Sequence, residues 1–288
     1  NCLVKCTKGV IQLDRFEVPY RRYGNSKNLF VCVSGALQTM AIWRTVVKRF
    51  ASDFTVVIFD MPGIGRSRIL SGGAHVTVQE QLETLNALIN ETHPGGEVTL
   101  AGSSWGTAIA AAYAALRPEA VQHLMLCSFG LKPNAAMERL VARATGLFEA
   151  GNFAAGSDLI LEVFGNNVSG SYKRQIAAQF RALTREQAES FNEHCVNILK
   201  LGQLNDVVDL SKITARTVIV NGTEDPIIDL DDMQLAKALI PNCELRLIEG
   251  VGHFLHFEKP ELVDDYAEFI MAPSPEPNSD FSTAISTA

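Results

Sequence analysis

The chain has 288 residues and 47% hydrophobic content, enough for one large domain with a proper core. Its 32 acidic and 25 basic residues leave a net charge of −7, which argues against nucleic acid as a partner, because duplex binders carry a basic footprint. No apolar run approaches the ~18 residues that cross a bilayer, so no integral membrane segment is expected.

The opening NCLVKCTKG has no basic region followed by an apolar one, so no secretory leader is expected, although the absence of a first Met leaves room for a trimmed segment. Residues 2–7 and 15–23 read as an antiparallel lead-in. Short apolar or β-branched runs follow at 29–34 (LFVCVS), 55–59 (TVVIF), 98–101 (VTLA), 123–127 (HLMLC) and 217–220 (TVIV), with 245–248 strand-like. Runs of this length bounded by turn residues read as strands buried on both faces of a parallel sheet. Helical patterns fill the gaps at 40–51, 77–92, 105–117, 229–240 and 259–271. Alternation of strand and helix implies βαβ units, hence an α/β fold.

The alternation breaks between 130 and 210. Helical patterns run there at 134–149, 153–164, 170–182 and 185–203, and Thr184 with Gln187 resembles a capping box. This predicts a helical cap over the carboxyl ends of the strands, where open α/β sheets place their sites. The expected organisation is therefore a core at 1–129 and 211–271, a cap at 130–210, and a disordered Pro- and Ser-rich tail at 272–288. The six cysteines (Cys2, Cys6, Cys32, Cys127, Cys195, Cys243) form no close pair and read as free thiols of a reducing cytoplasm.

Gly102-Ser103-Ser104-Trp105-Gly106 follows a strand pattern and precedes an alanine-rich helix pattern. This is G-x-S-x-G in the strand–turn–helix setting of a nucleophile elbow. Serine on so sharp a turn is strained, and only glycine fits two positions to either side. A serine hydroxyl needs a base to take its proton. Of six histidines, His253 alone lies on a Gly-flanked loop after the last strand. Asp225, just past 217–220, is the expected acid, with Glu224 and Asp229 as local competitors. The position after Cys127 offers Ser128-Phe129 and no carboxylate. The order Ser…Asp…His is that of the α/β-hydrolase fold. The oxyanion hole is assigned to the amides of Trp105 and Ala36, with Leu37 the nearest alternative. The loop at 60–67 (DMPGIGRS) holds G-x-G without the rest of a dinucleotide fingerprint and reads as structural. No metal-site spacing occurs, and no cofactor is expected.

Residues 33–43 (VSGALQTMAIW), 56–68 (VVIFDMPGIGRSR), 103–106 (SSWG), 221–225 (NGTED), 249–258 (EGVGHFLHFE) and the cap segment 164–199 resemble the α/β-hydrolase-fold bacterial acyltransferases that act on 3-hydroxyacyl chains. These are the 3-(3-hydroxyalkanoyloxy)alkanoate synthases of rhamnolipid biosynthesis and the 3-hydroxyacyl-ACP:CoA transacylases. The resemblance covers about residues 8–270. It implies that Ser104, with Asp225 and His253, takes an acyl group from an acyl-carrier-protein or CoA thioester and passes it to a second hydroxyl or to CoA. The chain departs from that family at Gly102, Glu224 and Pro226-Ile227. If the substrate rides on an acidic carrier protein, Lys173, Arg174, Arg181 and Arg185 are the candidate docking residues, because residues 163–185 contain no Asp or Glu. Two other readings use the same residues: a carboxylesterase or thioesterase, and a non-catalytic receptor for a small apolar ligand. The expected location is the cytoplasm.

Overall fold

The computed structural model describes residues 4–271; the expected disordered tail at 272–288 lies outside the described residues. Among those, nine strands form one sheet: β1 (Cys6–Gln12), β2 (Phe16–Tyr23), β3 (Leu29–Val33), β4 (Thr55–Phe59), β5 (Arg68–Ile69), β6 (Val98–Ser103), β7 (His123–Cys127), β8 (Arg216–Gly222) and β9 (Cys243–Ile248). Their order is β1-β2-β4-β3-β6-β7-β8-β9, with β5 against β2. Pairings from β4 through β9 are parallel, and β1, β2 and β5 add antiparallel partners at one side. The fold is that of the α/β hydrolases.

Strand burial explains the sequence pattern. β3 and β4 are buried at every position, because helices cover both faces. Leu29, Val31 and Val33 enter the core shared with α2 (Val78–Thr92) and α3 (Trp105–Leu116), while Phe30 and Cys32 enter the opposite core with α1 (Arg44–Phe50) and α10 (Leu262–Met271). β9, at the sheet edge, is largely exposed and carries Glu244 and Arg246, paired at 3.0 Å. Charges on an edge strand block pairing with another chain.

The boundaries differ from the sequence expectation in three places. Among the described residues the first strand of the lead-in runs Cys6–Gln12, beyond the expected 2–7, and pairs along its whole length with β2. Gly9 sits over the Tyr20 ring, where a Cβ would come within 2.2 Å, so the glycine admits the aromatic partner. The helix expected at 40–51 is a 3₁₀ turn at Met40–Trp43 followed by α1, with the buried Asp60 carboxylate accepting from the Met40 amide at 2.6 Å. The helix expected at 259–271 is α10 and starts only at Leu262, after Pro260, with a separate short helix α9 (Leu255–Glu258) before it. Lys259 is pushed out of helical geometry (φ −136°, ψ 84°), as residues before proline are.

Between β7 and β8 lie α4 (Ala135–Glu149), α5 (Ala155–Phe164), α6 (Gly170–Arg181) and α7 (Arg185–Leu201). Thr184 and Gln187 form the capping box that starts α7. These helices share a core built on Val141, Phe148, Ile176, Phe180 and Phe191, against which Ala36 and Phe254 pack. The chain enters and leaves the insertion side by side, with the Leu204 amide donating to Leu131 O at 2.8 Å. No helix among the described residues is long and apolar enough to cross a membrane.

Candidate active site

Ser104 sits between β6 and α3 with φ 51° and ψ −122°, a strained conformation for a residue with a side chain. Its neighbours make the turn possible. A Cβ on Gly102 would come within 2.6 Å of Gly106 O, and one on Gly106 within 2.2 Å of Val33 O. The glycines let β6, β3 and α3 approach at one point. The Ser104 amide donates to Cys127 O at 3.0 Å, tying the turn to β7.

His253 lies on the loop between β9 and α9. Its Nε2 is 2.9 Å from Ser104 Oγ, and its Nδ1 is 2.6 Å from Asp225 Oδ2. The Asp225 side chain is fully buried, and its other oxygen accepts from the Ile227 amide at 3.0 Å. An ionised Asp225 assigns the proton to Nδ1, leaving Nε2 to accept from the serine hydroxyl. The competing acids are engaged elsewhere. Glu224 accepts from Asn167 Nδ2 at 2.8 Å, and Asp229 accepts from Asn134 Nδ2 at 3.0 Å.

The turn after β3 approaches Ser104 closely. A Cβ on Gly35 would come within 2.9 Å of Ser104 Cβ. The turn is held by Gln38 Oε1, which accepts from the Gly35 amide at 2.7 Å, and by Ser34 Oγ, which accepts from Trp43 Nε1 at 3.0 Å. Leu37 takes φ 59° to complete it. Ala36 and Trp105 border the same cavity as Ser104 and His253. Among the described residues the amides of Ala36 and Trp105 have no protein acceptor. The Trp105 indole points away, donating to Gln81 Oε1 on α2 at 2.8 Å, with the His194 ring edge-on at 4.9 Å. Burial first, and His75 second, lower the His194 pKa to about 4.

The cavity above Ser104 is about 200 Å³. Its walls include Leu140, Val141, Phe148, Leu159, Phe164 and Phe180 from the inserted helices, whereas Leu147, Phe153 and Leu161, similar in the sequence, do not line it. Phe164 lies 5.3 Å from the His253 ring, and His253 is only 8% exposed, so little water reaches the imidazole. His253 and Lys132 are the ionisable His, Lys, Arg, Asp or Glu side chains of the lining among the described residues. The site can therefore hold an aliphatic group beside a serine hydroxyl whose proton has an acceptor.

A family model described as the alpha/beta hydrolase family matches residues 30–265. The chain belongs to the alpha/beta hydrolase family. It is an enzyme of that family. One curated relative is the (R)-3-hydroxydecanoyl-ACP:CoA transacylase of Pseudomonas aeruginosa, 23% identical over 246 residues, covering 85% of this chain and 81% of that protein. Another is the poly(3-hydroxyalkanoate) depolymerase of Ectopseudomonas oleovorans, 26% identical over 213 residues, covering 73% of this chain and 72% of that protein. Among solved structures, an alpha/beta hydrolase enzyme from a Medee basin deep-sea metagenome library superposes with a TM-score of 0.81 at 18% identity, over 94% of this chain and 100% of that one.

Two groups in this alpha/beta hydrolase escaped the sequence reading. Glu258 accepts from the Gly252 amide through Oε1 at 3.0 Å and from the Phe254 amide through Oε2 at 2.8 Å. One carboxylate thus clamps both neighbours of His253. Ser128, at φ 62°, donates its hydroxyl to His253 O at 2.6 Å. The only signal for Glu258 was its place five residues after His253, which a helix turn brings back over the loop. Glu258→Gln keeps one acceptor and turns an N–H toward the second amide. Loss of that clamp is expected to lower kcat roughly 10- to 100-fold with KM little changed, because small displacements of a base cost that much. Steady-state kinetics on wild type and variant check this.

The sequence-predicted docking cations divide. Arg174 and Arg181 are exposed and two helical turns apart on one face of α6. Lys173 is half-buried. Arg185 begins α7 and is paired with Glu189 at 2.8 Å. The loop at 60–67 folds around Asp60, whose carboxylate also accepts from the Arg66 amide at 2.8 Å. Among the described residues no three His, Cys, Asp or Glu side chains converge as metal ligands would. Cys6, Cys32, Cys127, Cys195 and Cys243 are free; Cys2 lies outside the described residues.

Proposed function

We propose that this hydrolase is a serine acyltransferase that takes a 3-hydroxyacyl group from a carrier-protein or CoA thioester and passes it to a second 3-hydroxyacyl hydroxyl or to CoA. The observation that carries the reading is the line Ser104 Oγ–His253–Asp225, with links of 2.9 and 2.6 Å, at the floor of an apolar cavity.

In this reading His253 Nε2 takes the Ser104 proton as Oγ attacks the thioester carbon. Negative charge develops on the carbonyl oxygen, which the amides of Ala36 and Trp105 receive at the head of α3. Buried Asp225 holds the imidazole in its tautomer and stabilises the imidazolium. Collapse breaks the C–S bond, and the departing sulfur receives the proton from His253. The acyl-enzyme then meets an acceptor hydroxyl or thiol, which gives its proton to His253 as it attacks, and Ser104 recovers a proton on release. Water is the competing acceptor. The screening of His253 by Phe164 favours a bulkier acceptor held in the apolar cavity over water.

The names of the transacylase and depolymerase relatives both concern 3-hydroxyacyl groups, which supports the acyl class. A carrier-bound substrate implies a cytoplasmic enzyme of lipid biosynthesis, with the lipid part of rhamnolipids as a candidate product. Incubation with 3-hydroxyacyl-ACP, with and without CoA, followed by mass spectrometry, tests it. A 3-(3-hydroxyalkanoyloxy)alkanoate ester or a 3-hydroxyacyl-CoA supports transfer. Free hydroxy acid alone makes the enzyme a thioesterase or esterase. Failure to react with a serine-directed fluorophosphonate removes Ser104 as the nucleophile.

The carrier is proposed to dock on Arg174 and Arg181, with Lys173 beside them and Arg185 contributing least because of Glu189. Arg174→Glu with Arg181→Glu is expected to raise KM for 3-hydroxyacyl-ACP about 10-fold at low salt, with kcat retained, since facing charges act on encounter. Steady-state kinetics at two ionic strengths check this; unchanged KM removes the docking assignment.

A further inference from the structure

The cavity above Ser104 has a neighbour. A groove of about 290 Å³ lies between α2, α3 and the end of the inserted helices. Trp105, Ala108, Leu201 and Leu204 line both spaces. The groove continues outward along Leu82, Ile109, Ala112, Leu116, Val207 and Val208. Leu116 and Val207 are among the most exposed large apolar residues, at 63% and 55%. Single exposed apolar residues need no account, but these two lie in an apolar lining that shares four wall residues with the cavity of the reactive serine.

We propose that a long aliphatic acyl chain runs from Ser104 through the inner cavity, between Ala108 and Leu204, and rests its distal end in this outer groove. The inference rests on the acyl-transfer reading above and adds a substrate class to it: linear chains longer than the inner cavity can hold.

Three observations support it. At about 200 and 290 Å³, each space alone is below the ~300–1,000 Å³ of ordinary ligand pockets, whereas the two joined fall inside that range. Trp105, Ala108, Leu201 and Leu204 form the wall the two spaces share. Trp105 is fixed by Gln81 and His194, while Ala108 presents only a methyl group. On the inner side, Gly202 at φ 72° lines the cavity of Ser104 next to Leu201 and has open space where a Cβ would stand. The path also follows α3, and Leu116 lies about 18 Å along that helix from Ser104 by helical rise, the reach of a long fatty acyl chain.

The test is the dependence of kcat/KM on chain length, with p-nitrophenyl esters from butyrate to palmitate, for the full chain and two variants. Ala108→Leu adds bulk to the shared wall; Val207→Asp puts a charge in the outer groove at an exposed position that folding tolerates. Each variant is expected to lower the laurate-to-butyrate and palmitate-to-butyrate ratios at least 10-fold. Profiles that coincide with wild type, with Val207→Asp folded and active on butyrate, overturn the proposal. A change in the light-scattering mass of Val207→Asp with an unchanged profile also overturns it, assigning the groove to contact between copies. No turnover of any ester by wild type would remove the acyl-transfer reading itself, and this proposal with it.

Discussion

Replacing Ser104 with alanine is expected to lower kcat for ester or thioester turnover by roughly 10⁴- to 10⁶-fold, the scale seen when a serine nucleophile is removed. The variant is expected to fold. Ser104 owes its φ of 51° to the packing of Gly102 and Gly106, not to its hydroxyl. Removing one oxygen leaves the turn, the Ala36 and Trp105 amides and the cavity in place. Whatever activity remains then comes from those amides acting on water-borne attack. KM is expected to change little, because the cavity walls are untouched. Stopped-flow or endpoint assays at matched protein concentration, with thermal unfolding as the folding control, measure the effect.

Asp225→Asn is expected to cost about 10⁴-fold in kcat. The substitution preserves shape but reverses polarity: an amide nitrogen can face His253 Nδ1 only if that atom accepts. The imidazole proton then sits on Nε2, where it cannot receive one from Ser104. No neighbour substitutes for the lost charge. Glu224 is held by Asn167, Asp229, just before α8 (Leu230–Leu239), is held by Asn134, and Glu258 is committed to the backbone amides of 252 and 254. Turnover is expected to recover partly at high pH, where hydroxide supplies the base that His253 no longer provides. A pH–rate profile of the variant reads this out.

Local signals marked much of this site. The nucleophile turn was legible because a Cβ at 102 or 106 would meet backbone oxygen at 2.6 or 2.2 Å, and so close an approach leaves glycine at a fixed spacing in sequence. β3, β4, β6, β7 and β8 were legible because burial on both faces leaves apolar runs. Chain order pointed to His253, and the strand before Asp225 pointed to that acid, but not to the reason Glu224 fails, which depends on Asn167 from the inserted segment.

What stayed hidden depends on distant segments meeting. β5 is two residues long and exists through its pairing with Phe16 and Glu17. The closeness of the Gly35 turn to Ser104 joins residues 69 positions apart; the expectation for Ala36 rested on the turn's place after its strand, and the contact itself has no local pattern. Within the inserted segment, no sequence pattern separated Phe164, which shields His253, from Phe153, which lies in the turn before α5 and packs against Phe148 at 5.3 Å. The shared wall at Ala108 and Leu204 joins α3 to the far end of the insertion, and an alanine in an alanine-rich helix carries no mark of it.

The central claim is that the acyl group passes through an ester on Ser104. Rapid quenching of the enzyme with a 3-hydroxyacyl thioester, followed by intact-protein mass spectrometry and peptide mapping, tests it most directly. The account predicts a mass increase equal to one 3-hydroxyacyl group, located on the peptide that contains Ser104 and absent from Ser104→Ala. Turnover at an undiminished rate by Ser104→Ala, or an adduct confined to another residue, would contradict it.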